Sequence, residues 1–256
     1  MMQKIVNEIK STLKDYVPSL SEDQKIKQYK ARNPDNPNYI FYGIKMKDLE
    51  SIAKTIHDKY TCSYDKACEI FKQLIKSDVA EEKFAALYFL NCFKKNFNKT
   101  TIDLFYDEYS NYCNTWALCD STCLKVLGPF LNKSGNSELA KSTIEKWSKS
   151  NSLWIKRASV VILLKLVMLN KDFYVSKSYV FNLVEKMLQS KEDYIQKSIG
   201  WLLKTCSKSN QQDIVVYLDT LIPKGSYFYI PQLDKLYDIL ADYKSENGSL
   251  MYMAIS

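Results

Sequence analysis

The sequence predicts an all-α fold, a solenoid of antiparallel HEAT-like helix pairs that curves to present a basic concave face. Three observations predict it. Apolar residues recur at helical spacing nearly throughout the 256 residues. Only six Gly and six Pro are present, too few for the turns that a strand-rich chain needs. The helical stretches run to about 11–18 residues with short connectors, which suits antiparallel pairs stacked every 35–45 residues or so.

In chain order, helices are expected near 2–16, 22–31, 46–59, 64–77, 80–97, 101–111 and 115–131. Further helices are expected near 137–150, 152–169, 175–190, 192–208, 211–222 and 230–245. Ser63 before Tyr64, Thr101 before Asp103 and Ser137 before Glu138 are placed to cap the next helix in each case. Residues 33–42, with Pro34 and Pro37, read as a loop, and so do residues 223–231, with Gly225 and three aromatics. The chain reads as one HEAT-like repeat domain over 1–256, with a divergent last repeat at about 223–256.

Composition excludes several classes. At 46% hydrophobic residues the chain can fill a core, so disorder is not expected. No apolar run approaches the roughly 18–20 residues of a membrane span. The first 16 residues mix Lys, Glu and Asp among apolar positions, unlike a signal peptide. The expectation is an intracellular protein, in the cytoplasm of a prokaryote or the nucleus of a eukaryote. Seven cysteines lie scattered with no CxxC pair, and His57 is the one histidine. That set does not offer clustered ligands for zinc, and the cysteines read as buried thiols in a reducing compartment. No metal or cofactor is expected. A Ser-His-Asp or Cys-His mechanism would have to use His57 as its base. The net charge of +7 points to a polyanionic partner. It is carried by 34 Lys and two Arg, Arg32 and Arg157. An Arg kept in so lysine-rich a chain suggests a need for its planar fork.

Three residues break their local pattern. On the helix 115–131, Trp116, Cys119, Cys123, Leu124, Leu127 and Leu131 form an apolar stripe, and Asp120 falls inside it. A carboxylate there must be paired with a neighbouring helix or face a cavity. The helix 152–169 is apolar almost all round, yet Arg157 sits among Leu153, Trp154, Val160, Val161 and Leu164. Its counter-charge could be Asp120 or the phosphate of a ligand. On the helix 192–208, Ile195, Ile199, Leu202 and Cys206 mark the buried face. Trp201 lies opposite, with Tyr194, Lys197, Ser198, Lys204, Thr205 and Lys208. An exposed Trp among lysines can grip a charged backbone and offer a stacking surface; the alternative is a Trp docked beneath a neighbouring loop.

These segments resemble the DNA alkylation repair (AlkD-like) glycosylase family. Asn114-Thr-Trp-Ala-Leu-Cys-Asp120-Ser, followed by Leu127-Gly-Pro-Phe-Leu131, is similar to that family's asparagine-tryptophan-x-x-x-aspartate helix. Leu153-Trp-Ile-Lys-Arg157-Ala resembles its tryptophan-x-x-arginine-alanine helix, and Lys197-Ser-Ile-Gly-Trp201 its lysine-x-x-glycine-tryptophan helix. Tyr39 to Lys45, with Leu49, is similar to its glycine-isoleucine/valine motif, and Glu82 to Leu90 fits its third repeat. The chain departs from the family at Lys47 and Asp48, where proline and arginine are usual, and in 230–243, which lacks the arginine-rich last helix. The resemblance implies a monomeric DNA glycosylase acting on N3- or N7-alkylated purines in duplex DNA, as the first step of base excision repair. It implies Asp120 as catalytic carboxylate, Arg157 as phosphate clamp, and Trp116 and Trp201 as aromatic walls against the damaged nucleotide. Lys156, Lys197, Lys204, Lys208, Tyr29 and Lys45 are the further DNA contacts expected. The rival expectations are a catalytically inactive DNA-binding relative and a HEAT scaffold for other proteins.

Overall fold

Alternate helices stacking on one another give the molecule its order. The computed structural model describes residues 1–32 and 39–221; the helix expected near 230–245, the 223–231 loop and positions 33–38 lie outside the described residues. The helices are α1 (Met2–Asp15), α2 (Glu22–Arg32), α3 (Met46–Lys59), α4 (Tyr64–Leu74), α5 (Ala80–Asn91) and α6 (Lys99–Tyr112). They continue as α7 (Trp116–Thr122), a π turn (Cys123–Leu127), α8 (Gly128–Leu131), α9 (Ser137–Ser148) and α10 (Leu153–Asn170). The last are α11 (Lys177–Leu188), α12 (Asp193–Ser207) and α13 (Gln211–Leu221). Strands are absent among the described residues; extended pairing is limited to one bridge, Ile40 with Val79. None of the described helices is long and apolar enough to cross a membrane.

The chain divides into two units, Met1–Thr143 and Ile144–Ser256, with the boundary inside α9. In the first, α1 packs on α3, α3 on α5 and α5 on α7, while α4 packs on α5 and α1. A helix enclosed by so many neighbours must be buried all round, and in α5 every residue from Ala80 to Leu90 is buried. Three of these are charged, which would cost several kcal/mol each without partners. Each one ties down a different segment. The Glu81 carboxylate accepts from the backbone N–H of Tyr42 at 2.8 Å and of Gly43 at 2.9 Å. Glu82 pairs with Lys10 of α1 at 2.7 Å. Lys83 donates to the carbonyl of Tyr112, the last residue of α6, at 2.6 Å. In the second unit α12 packs against α10, α11 and α13, and α10 buries an aliphatic run from Val160 to Leu164.

The structure adjusts several expected boundaries. Ser63 caps α4 as expected, accepting from the Lys66 N–H. The helix expected from 101 starts instead at Lys99: Asn98 caps it, and Thr101 reaches back as the other half of a capping box. α9 begins at Ser137 itself. The helix expected to reach 97 ends at Asn91, because Phe93 and Phe97 are buried from the turns beyond it. Phe93 packs edge-on to the His57 ring at 4.9 Å and Phe97 to Phe130 at 5.7 Å, so the apolar period outlasts the helix. The helix expected over 115–131 is interrupted by the π turn, in which Gly128 N–H bonds to the Cys123 carbonyl. Pro129 explains it: proline has no N–H to give Lys125, and its ring would clash with that carbonyl in a regular helix.

Candidate active site

In the first unit, α7 is fixed at both ends. The Thr115 side chain caps it by accepting from Leu118 N–H at 3.2 Å. Thr122 donates back to the Leu118 carbonyl at 2.9 Å and shares a buried hydrogen bond with the Tyr109 hydroxyl of α6. Lys83 holds the turn that leads into it, through Tyr112. Burial depresses the Lys83 ammonium's pKa, with the neighbouring Cys113 and Asp78 opposing. On this helix Trp116 is half-buried and Asp120 is 6% exposed, as its place in the apolar stripe requires. Leu124 of that stripe is only half-buried, since the π turn rotates the residues within and beyond it. Burial pushes the Cys113 and Cys123 thiols far above their ordinary range, with Asp120 adding to the effect. Both stay protonated at neutral pH and are poor nucleophiles. All seven cysteines are outside disulfides, and Cys113, Cys119, Cys123 and Cys206 are buried. Lys45 is exposed at the cap of α3, and Tyr29 is half-buried on α2.

In the second unit the centre is Tyr194, at the start of α12. Its carbonyl accepts a hydrogen bond from Arg157 Nη1 of α10. Its ring lies 5.1 Å from that of Trp154, and the Lys197 ammonium sits 5.6 Å from the same ring while pairing with Asp193. Arg157 is 5% exposed. Sequence alone offered Asp120 or a phosphate as its partner; a backbone carbonyl on the adjacent helix is a third, and it joins α10 to α12. Trp154 and Tyr194 were visible only as neighbours of the chosen residues. The signal that would have found them is an aromatic three residues before the guanidinium facing another at the start of α12.

Trp201 is half-buried. Lys204 of α12 and Lys208 at its C-cap are exposed, as expected, and Lys156 is half-buried on α10. Ser198 and Thr205, expected on that exposed face, are instead 0% and 7% exposed. Three packing neighbours leave α12 only a narrow open strip, and both hydroxyls turn back to helix carbonyls, Ser198 to Ile195 and Thr205 to Trp201. The expected residues therefore divide as Trp116, Asp120, Tyr29 and Lys45 in the first unit, and Lys156, Arg157, Lys197, Trp201, Lys204 and Lys208 in the second.

Helices that stack two apart, with no strands among the described residues, define an all-helical, solenoid-like class of protein. Within that class the chain belongs to the DNA alkylation repair enzyme family, whose sequence model matches residues 14–233. Comparison with curated proteins finds no match. The family gives the chain a role in the repair of alkylated DNA.

Proposed function

We propose that the chain is a DNA glycosylase that hydrolyses the N-glycosidic bond of N3- or N7-alkylated purines in duplex DNA. The observation that carries this reading is Asp120, a carboxylate kept to 6% exposure one turn beyond half-buried Trp116, in a family of alkylation repair enzymes. Alkylation at N3 or N7 leaves a cationic purine, a good leaving group that needs no general acid. What remains is to stabilise an oxocarbenium-like sugar and to orient a water, and one carboxylate can do both. Shielding from solvent strengthens its attraction for the developing positive charge. Trp116 and Trp201 would offer ring faces to the cationic nucleotide, worth about 0.5–2 kcal/mol each. Arg157, Lys156, Lys197, Lys204, Lys208, Tyr29 and Lys45 would hold the backbone, giving binding that falls steeply with salt.

The reading predicts release of 7-methylguanine or 3-methyladenine when the protein is incubated with methylated duplex DNA, detected by chromatography of the free base. Intact DNA at high enzyme concentration would refute it. One observation favours a second reading, a DNA-binding relative without the activity: Arg157 is 5% exposed and already donates to the Tyr194 carbonyl. That reading predicts salt-sensitive duplex binding and no freed base.

A further inference from the structure

The first unit holds a cleft of about 550 Å³ between α3, α5 and the π turn, formed by none of the residues assigned to the lesion. Lys54 of α3, Lys94 beyond the end of α5 and Lys125 of the π turn line it. Two of these ammonium groups are held by carboxylates of α3, Lys54 by Asp58 at 2.6 Å and Lys125 by Glu50. The Lys125–Glu50 pair is open to solvent, its side chains 45% and 44% exposed, so a stronger anion can compete for the lysine. Beneath it lies Tyr88 of α5, 4% exposed, with the Lys125 ammonium 5.2 Å from its ring centre. The Tyr88 hydroxyl is shut from water, with Lys125 and Glu50 as its close polar neighbours. If Glu50 leaves, a buried hydroxyl there needs another acceptor. Three cations and a phenol donor suit a ligand that is both an anion and a multiple acceptor, which describes a phosphodiester.

We propose that this cleft is a phosphate-binding subsite, in which a DNA backbone phosphate displaces Glu50 from Lys125. Opening the pair uncovers the Tyr88 hydroxyl, which then donates to the same phosphate. Glu50 is thus a built-in competitor: it holds the lysine in place and weakens its grip on DNA. The inference rests on the reading that the chain binds duplex DNA, and adds to it a site with its own counter-charge.

The test is anisotropy titration of a short undamaged duplex with the full chain over a salt series. Lys125→Met should weaken binding about 3- to 10-fold at low salt and lower the salt slope by about one. Glu50→Gln should tighten it about 2- to 5-fold, because the competitor is gone. Glu69→Gln is the matched control: Glu69 of α4 also pairs with a lysine, Lys72 at 2.9 Å, and its loss changes the net charge equally. Tightening by Glu50→Gln well beyond that of Glu69→Gln supports the subsite. Equal effects of the two, or an unchanged salt slope in Lys125→Met, overturn it while leaving duplex binding intact. Failure of the unaltered chain to bind duplex at any salt overturns the functional reading and the subsite together.

Discussion

At Gly43 the backbone takes φ +85°, and a β-carbon placed there would lie 2.6 Å from Leu20 Cδ1. Its N–H and that of Tyr42 both point at the Glu81 carboxylate, so this one residue lets the segment before α3 turn onto α5. Gly43→Ala should lower unfolding stability by roughly 1–3 kcal/mol, through strain and crowding together. Thermal or urea unfolding measures it; an unchanged midpoint would mean that the turn relaxes freely. Single residues differ in how far the sequence reveals them. Asp120 was legible because a charge inside an apolar stripe violates burial rules within its own helix. Glu81, Glu82 and Lys83 were not, because their burial comes from helices distant in sequence closing over the first turn of α5. Arg157 was legible as an anomaly, but its carbonyl partner on Tyr194 was not, since backbone acceptors leave no trace in side-chain pattern.

Among elements, periodicity located the helices well and their ends less well. Where aromatic side chains pack from a turn, as Phe93 and Phe97 do, the apolar period runs past the last helical hydrogen bond. The π turn escaped for a related reason: one extra residue shifts the register without interrupting the apolar run, and Pro129 was the signal. A tie between elements can be tested by pH. Glu8 of α1 accepts from Lys59 of α3 at 2.7 Å and from Tyr60 just beyond it. Those two hydrogen bonds, Lys59's first, hold the Glu8 carboxyl below the usual range. A carboxylate with a lowered folded-state pKa adds stability that is complete above its unfolded value, about 4.3, and is lost as pH falls through the folded one. Glu8→Gln should therefore lower the unfolding midpoint at pH 7, with the gap from the unaltered chain closing as pH falls below about 4. A gap that persists or widens in acid would contradict this account of the contact.

For the whole molecule, the lysine-rich charge of +7 pointed to a polyanion and the family match over 14–233 makes damaged DNA its setting. Fold class was readable from helix length and order, because each helix pair is a local unit. The division at Thr143 was not, since the boundary falls within a helix and no change of composition marks it. The central claim is chemical and falls on Asp120, so the most direct measurement compares the unaltered chain with Asp120→Asn on one methylated duplex. Base release and duplex affinity would be followed in parallel. The amide keeps the size of the side chain but cannot supply the charge that an oxocarbenium-like sugar needs. The account predicts nearly unchanged binding with base release abolished. Release of alkylated purine by Asp120→Asn at the rate of the unaltered chain would contradict it.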